Sequence, residues 1–249
     1  MRAAAKLPGL RRSRLKTIAI VGFAFIFLVW LFSRPSSSHG PYKGHLPSGK
    51  PPVVLVTVLD EKAYEKAYLD VIKENRIQYA QKHGRMKSRS KLERETNVSL
   101  GYETMFAKVG DYDLKGAPSS WTTVVAARDA ITKFPDCHFI WYLDQNSFIM
   151  NPDLKIEDHV MKSSTLESLM IKDYPVVPPD SIIKTFSHLR GQDVDFVLTQ
   201  DNLGLSAGSF VLRNGEWAKF FLETWFDPLY RSYNFQKAET HALVSLKMG

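Results

Sequence analysis

The chain has 249 residues and a formal net charge of +7, from 33 Lys and Arg residues against 26 Asp and Glu residues. The excess lies in residues 1–34, which hold seven basic residues and no acidic one, so the rest of the chain is formally neutral. This distribution gives no indication of nucleic-acid binding, and no nucleic-acid partner is expected. The single cysteine, Cys137, excludes an intramolecular disulfide, so the fold must be stabilised by a packed core.

An apolar run of 16 residues, 17–32, follows the basic N-terminal stretch. We predict a transmembrane signal anchor here, with a cleaved signal peptide as the competing interpretation of so short a run. No small-residue cleavage motif follows, and the basic residues ahead of the run place residues 1–16 in the cytoplasm as a tail. Residues 33–52 are rich in Ser, Pro and Gly, which is typical of a stem linker. The sequence therefore predicts a single-pass type II membrane protein whose luminal domain comprises residues 53–249.

The luminal domain opens with a β-branched run, residues 53–58, which predicts a strand buried on both faces. Residues 63–82 follow as a predicted helix. Its apolar positions, roughly on one face, are Ala67, Val71, Ile77 and Ala80. A strand, a turn and a helix in this order are the opening unit of an α/β sheet.

The next unit repeats this order. Residues 104–109 predict a second strand, and residues 121–134 predict a helix that begins at a Ser119 or Ser120 cap and ends at Pro135. The helix leads the chain into a further strand, so the pattern indicates a second βαβ-like unit.

That further strand is an aromatic and aliphatic run, residues 139–143, which ends abruptly at Asp144-Gln145-Asn146. Ligands of open α/β sheets bind at the carboxyl ends of the strands, so a site is expected at Asp144. A carboxylate in this place can also simply cap the following turn.

The remaining elements are short. Residues 155–169 predict a helix, and residues 194–198 and 209–212 predict two strands around a polar loop. Two closing helices are predicted at residues 215–226 and 235–246.

Residues 85–101 interrupt this order with a polar, basic stretch that lacks apolar periodicity and predicts an exposed loop. The stretch contains the glycosylation sequon Asn97-Val98-Ser99, which is used only in a luminal protein.

A resemblance to a known family is carried by residues 142–146, YLDQN, followed by IMNP at residues 149–152. These residues resemble the Asp-x-Asp region of Golgi glycosyltransferases, and of glycosyltransferase family 34 in particular. Residues 53–80 and 199–243 agree with the same family. The chain is most similar to the fungal α-1,6-mannosyltransferase subunits of the mannan-polymerase complexes, and the family also contains α-1,2-galactosyltransferases. The resemblance implies a GT-A, Rossmann-like nucleotide-diphosphosugar-transferase fold.

The resemblance implies a metal site at the end of the strand. Asp144 and Asn146 would hold a divalent cation, Mn²⁺ or Mg²⁺, that neutralises the leaving diphosphate. An Asn carbonyl coordinates such a cation but brings no charge, so metal binding is expected to be weaker than in the family pattern.

Donor contacts are implied for the first two helices. Asn75, Arg76 and Tyr79 match the family's Asn-Arg-x-x-Tyr, which implies that Arg76 pairs with phosphate and Tyr79 stacks on the base. Arg128 on the second helix also fits the family pattern. The alternative for each arginine is a solvated helix face.

The C-terminal part supplies the sugar contacts in this resemblance. Asp201 and the small-residue loop 204–208 are expected to line the acceptor side, and Ser206 stands where the family commonly has Asn, beside the donor sugar. Glu239 is implied as a catalytic residue beside the reacting sugar, and Thr240 replaces an amide of the family pattern.

The implied function is that of a Golgi membrane enzyme, which transfers α-mannose from GDP-mannose to a mannan or N-glycan acceptor with retention of configuration. One alternative is a non-catalytic subunit in a complex with homologous mannosyltransferase subunits, favoured by the departures at Asn146, Ser206 and Thr240. Another is α-galactosyl transfer from UDP-galactose. By the same resemblance, the family continues for many tens of residues beyond position 249, where a His metal ligand is expected.

Overall fold

A computed structural model of the chain describes residues 51–84, 101–175, 182, 184–201, 204–232, 235 and 237–246. The predicted tail and anchor, most of the predicted stem and all but the last residue of the predicted loop 85–101 lie outside these ranges. Among the described residues, no helix is long and apolar enough to cross a membrane.

A five-stranded sheet forms the centre of the domain, with the strand order β2-β1-β3-β5-β4. The strands are β1 (Val53–Leu59), β2 (Glu103–Lys108), β3 (Phe139–Leu143), β4 (Phe196–Asp201) and β5 (Gly204–Arg213). Strand β1 pairs in parallel with β2 and β3, whereas β5 runs antiparallel to both β3 and β4. The predicted α/β class is therefore confirmed.

Six α-helices lie in the described part of the chain. They are α1 (Lys66–Gly84), α2 (Thr122–Lys133), α3 (Ser163–Leu169), α4 (Glu216–Trp225), α5 (Pro228–Arg231) and α6 (Ala238–Leu246). Val54 and Val56 of β1 pack into a core shared with α2, α4 and α6, and Val53 and Leu55 pack into a second core with α1. Helices thus cover both faces of the sheet, which explains why every residue of β1 is buried and apolar except Thr57, and why β3 is an unbroken apolar run.

The order of the parallel strands creates a switch point between β1 and β3. From β1 the chain passes through α1 to β2 on one side, and then through α2 to β3 on the other side. The carboxyl ends of β1 and β3 therefore lie together, and the Thr57 hydroxyl donates to the Leu143 carbonyl at 2.9 Å. Crevices of this kind are where open α/β sheets bind ligands.

The predicted apolar face of helix α1 is buried at Ala80 but was wrong at two other positions. Ala67 and Val71 are exposed, and Val71 keeps 55% of its surface accessible. The buried side chains are Leu69, Ile72, Arg76, Tyr79 and Ala80. The apolar pattern did not indicate the buried face correctly because an arginine and a tyrosine occupy the core side of this helix.

Two further boundaries differ from the predictions. The single helix predicted at 155–169 is broken into a π-turn, Glu157–Met161, and α3, because Lys162 between them is extended. The residues 204–208, predicted as a loop, form the first half of β5, which begins at Gly204 with a φ of 126°. That backbone conformation favours glycine.

Candidate active site

The site is organised by the end of β3. The backbone N–H of Asp144 donates to the carbonyl of Gly208 at 2.8 Å, which extends the β3–β5 ladder by one bond. Because β5 runs antiparallel to β3, its first residues lie beside the last residues of β3. Asp144 and the Gly204–Gly208 stretch are therefore brought together although 60 or more positions separate them in the sequence.

A cavity of about 390 Å³ lies against this junction. The α2 side and the α6 side of the domain complete its walls. Its lining residues are Ser120, Thr123, Asp144, Gly204, Leu205, Ser206, Ala207, Gly208, Lys237, Glu239, Thr240, His241 and Val244. The structure thus brings the predicted residues Asp144, Ser206 and Glu239 to one cavity.

Glu239 is the most unusual group in the lining. Its side chain is only 6% exposed, and its Oε2 atom has no hydrogen-bond partner among the described residues. Its other oxygen accepts from the Thr240 hydroxyl at 3.3 Å, and its backbone carbonyl accepts from the indole N–H of Trp225 at 2.7 Å. A buried carboxylate is costly unless it is hydrogen-bonded, so the free oxygen is poised for a ligand.

A second unpartnered group belongs to the α2 side of the cavity. The Oγ atom of Ser120 is buried without a hydrogen-bond partner among the described residues. Neither Ser119 nor Ser120 caps α2 as predicted, because the residue at the cap position is Trp121 and no side chain bonds there. Nearby in the lining, the Thr123 hydroxyl donates to the hydroxyl of Tyr142 at 3.0 Å. Burial, together with the charges of Asp144 and Glu239, raises the pKa of Tyr142 above its ordinary value, so this hydroxyl stays protonated.

The lining also carries positive and titratable groups. Lys237 is exposed at the edge of the cavity and adopts a left-handed backbone conformation with a φ of 60° just before α6. His241 lies one turn further along and packs edge-on against Phe235. The lining therefore contains a lysine as well as two acidic residues.

Asp144 and Asn146 form a compact turn. The Asp144 Oδ1 atom accepts from the backbone N–H of Asn146 at 2.8 Å and from its carboxamide at 2.7 Å. The Asn146 Oδ1 atom accepts from the Tyr64 hydroxyl at 2.6 Å. The capping role considered for Asp144 is thus present. It leaves carboxylate and amide oxygens on one turn, the kind of ligand that Mn²⁺ and Mg²⁺ prefer.

The described residues contain no group of three or more His, Cys, Asp or Glu side chains placed to hold a metal. Asp144 and Asn146 still fit a hard divalent cation that takes its other ligands from water and a diphosphate, which is the usual arrangement for Mg²⁺.

The predicted donor-binding residues of α1 have other contacts. Arg76 is fully buried and donates to the backbone carbonyls of Asp144, at 3.0 Å, and Ser147. Tyr79 is 2% exposed, and its ring packs edge-on against Trp141. Its hydroxyl donates to the Leu154 carbonyl at 2.7 Å. Base stacking by Tyr79 is therefore not supported, because its ring is already covered. Asn75 and Arg76 face the turn behind the site, outside the cavity lining.

Arg128, Asp201 and Ser206 have different outcomes. Arg128 is exposed on α2, lies outside the cavity lining and is 3.5 Å from the carboxylate of Glu223, so a donor contact is not supported. Asp201 is the last residue of β4, and its side chain lies outside the described structure. Ser206 lines the cavity from β5.

Five residues of the lining were not predicted from the sequence, and these are Ser120, Thr123, Lys237, His241 and Val244. They follow no ligand-binding spacing, and they meet only because α2 and α6 pack on the same face of the sheet. The nearest signal was the pair of serines before α2, which the sequence analysis assigned to capping.

The sequence matches a known family over most of its length. The model of the galactosyl transferase GMA12/MNN10 family aligns with residues 49–247. This range includes every predicted site residue.

Individual relatives agree with the family match. An uncharacterised α-1,2-galactosyltransferase of Schizosaccharomyces pombe is 32% identical over 71% of this chain and 44% of its own length. A probable α-1,6-mannosyltransferase of Saccharomyces cerevisiae is 27% identical over 78% of this chain and 44% of its own length. The chain thus spans about half the length of the curated relatives it matches.

Among solved structures, a glycosyltransferase involved in the glycosylation of the major capsid of PBCV-1 aligns with a TM-score of 0.49. The alignment covers 78% of this chain and 75% of the other, with 12% identity.

Proposed function

The chain belongs to the galactosyl transferase GMA12/MNN10 family, and on that premise we propose that it is a hexosyltransferase with the cavity between β3, β5 and α6 as its active site. The proposed reaction transfers α-mannose from GDP-mannose to a mannan or N-glycan acceptor, in a GT-A domain anchored in the Golgi membrane. Family members named for α-1,6-mannosyl and α-1,2-galactosyl transfer both occur among the relatives.

One observation carries the proposal. Two carboxylates, Asp144 and Glu239, line the same cavity, and the Oε2 atom of Glu239 is buried without a partner in the part of the chain that the structure describes. A hexose presents several hydroxyl donors, and a buried carboxylate oxygen is a strong acceptor for one of them. The unpartnered Ser120 hydroxyl in the same lining can bind a second hydroxyl of the sugar.

The residues divide the chemistry between the two ends of the donor. In a retaining transfer, the bond from the anomeric carbon to the diphosphate breaks. The acceptor oxygen bonds to that carbon on the same face, and the acceptor proton leaves with the diphosphate. Glu239 and Ser120 would hold the hexose, and Lys237 would place its charge near the departing phosphate.

A divalent cation, when bound, would neutralise the negative charge of the diphosphate. Asp144, which lines the cavity, would hold that cation through its carboxylate, and Asn146, two residues further along the same turn, would join it through its amide oxygen. The Asn146 carbonyl carries no charge, so a cation should bind more tightly as its complex with the diphosphate than alone.

The subunit alternative is supported by a different observation. Asn146 supplies an amide and Thr240 a hydroxyl where the family pattern places a carboxylate and an amide, and Thr240 bonds only weakly to Glu239 at 3.3 Å. A domain with these substitutions would still fold and pair with a longer homologue.

Transfer assays with the purified 249-residue chain test the proposal. We expect Mn²⁺-dependent transfer from GDP-mannose or UDP-galactose to an α-1,6-mannobiose acceptor, and the productive donor names the sugar. Asp144→Asn keeps the shape of the turn and should lower the rate by about 100-fold or more, because one charged group of the site is lost. Asp136→Asn, an exposed position outside the cavity lining, is the matched control.

The outcomes separate the enzyme from its alternative. Absence of transfer with both donors by the folded chain would overturn the catalytic proposal. Co-purification of the inactive chain with a homologous transferase would then establish the subunit role.

A further inference from the structure

Helix α1 holds the segment that follows β3 through a row of polar side chains. Tyr68 donates to the Gln145 carbonyl at 3.1 Å, and Tyr79 donates to the Leu154 carbonyl at 2.7 Å. Between them lie Asn75 and Arg76, whose contacts fall on the turn that contains Asp144. This part of α1 therefore contacts the turn without lining the cavity.

Asn75 holds the far end of the turn by two hydrogen bonds. Its carboxamide nitrogen donates to the Ile149 carbonyl at 3.0 Å, and its carboxamide oxygen accepts from the Ile149 N–H at 3.0 Å. One side chain thus satisfies both polar backbone groups of Ile149, which fixes this residue as a neighbouring strand would fix it.

Arg76 holds the near end. Its Nη2 atom donates to the carbonyls of Asp144 and Ser147, and its Nη1 atom donates to the Asn75 carboxamide oxygen at 2.9 Å. The Ser147 N–H also donates to the Asp144 carbonyl at 3.0 Å, so the guanidinium binds both residues that close the turn. Only a planar fork of donors can reach these acceptors together, and a lysine ammonium cannot replace it.

Burial of the Arg76 guanidinium costs free energy, which indicates that its contacts with the turn have a role. Arg76 is fully buried, its Nε atom has no partner among the described residues, and it forms no ion pair within 4.0 Å among them. A guanidinium stays cationic at neutral pH, so the fold buries a charge at a position where an apolar residue would be cheaper to bury.

We propose that Asn75 and Arg76 are a positioning pair, which holds the Asp144 turn so that its carboxylate faces the cavity, and that neither side chain contacts the donor phosphate. This role differs from the phosphate contact implied by the family resemblance. The expected effect on metal binding rests on the proposed function, whereas the expected effect on the structure of the turn does not.

Hydrogen exchange in the full chain tests whether the pair stabilises the turn. Arg76→Lys retains the charge but loses the fork, so the amides of Ser147 and Ile149 should exchange about tenfold faster while those of β1 stay unchanged. Asn75→Ala removes the two bonds to Ile149 from a half-buried side chain, and it repeats the test if Arg76→Lys does not fold. Unchanged exchange of the turn in the folded variant would overturn the proposal.

Ligand-binding measurements then distinguish a positioning role of Arg76 from a direct contact with phosphate. We expect the affinity for Mn²⁺, measured by electron paramagnetic resonance with GDP or UDP present, to fall about 10- to 100-fold in Arg76→Lys. Binding of the same nucleotide in EDTA should not change. Normal Mn²⁺ affinity with weaker nucleotide binding in EDTA would instead assign Arg76 to the phosphate.

The chain offers a matched control. Arg128→Lys makes the same substitution at an exposed arginine whose described partner, Glu223, is 3.5 Å away. It should leave exchange of the turn and both binding constants unchanged. Wild-type protein that binds neither nucleotide would refute the proposed function, whereas the exchange result would still decide the role of the pair.

Discussion

Substitution of Glu239 by Gln should stabilise the protein and remove its activity. The side chain is 6% exposed and its Oε2 atom has no partner within the described ranges, whereas Oε1 keeps a weak bond to Thr240 at 3.3 Å. An unsatisfied buried polar group costs about 1–3 kcal/mol, and more when it is charged. Gln preserves the shape and the Oε1 contact but removes the charge, so we expect a gain of about 1 kcal/mol, which raises Tm by about 2–4 °C.

Urea and thermal unfolding at pH 7.5 measure the stability of the variant. The transfer assay measures its loss of activity, which is expected to be about 100-fold. Glu223→Gln is the control, because this glutamate is exposed, and its effect on the unfolding free energy should stay within about 0.5 kcal/mol. A fall in Tm for Glu239→Gln would show that the carboxylate is paired in the folded protein. Its unpartnered oxygen could then no longer serve as the argument for a sugar-binding site.

Two further predictions concern the scaffold. Deletion of residues 85–100 should leave Tm and activity unchanged, because the residues on either side of this segment already lie next to each other. A Cβ placed on Gly84 would lie 3.5 Å from the Cα of Gly101. A fall in Tm of several degrees would show that the segment stabilises the domain. Gly191→Ala should destabilise the protein by about 1–3 kcal/mol, since the new Cβ would overlap the Ser163 carbonyl. Gly110→Ala, with open space around it, is its control in the same unfolding assay, and equal effects would contradict the packing argument.

Much of the framework could be predicted from local patterns. The strands at residues 53–58 and 139–143 were recognised because burial on both faces leaves an unbroken apolar run, and both agree with β1 and β3 to within one residue. The helix at 121–134 also agrees with α2 to within one residue at each end. The face of α1 was misassigned because the buried Arg76 does not follow the apolar pattern.

The site was only partly accessible from the sequence. Asp144 was found because it ends a strand, and Glu239 was found by family resemblance alone. Ser120 and Lys237 were missed, because no spacing connects a residue just before α2 with a residue just before α6. The roles of Asn75 and Arg76 could not be read either, since their partners are backbone groups about 70 positions away.

The α/β class, the position of Asp144 at the end of a buried strand, and the family could all be predicted from the order of the residues. They follow from periodicity and from short motifs, which are local properties of the chain. Which residues share the cavity, and which only support it, is visible only in the folded protein. That division depends on strand order and helix packing, because only these bring β5, α6 and the β3 turn together and turn Arg76 away from the cavity towards the back of that turn.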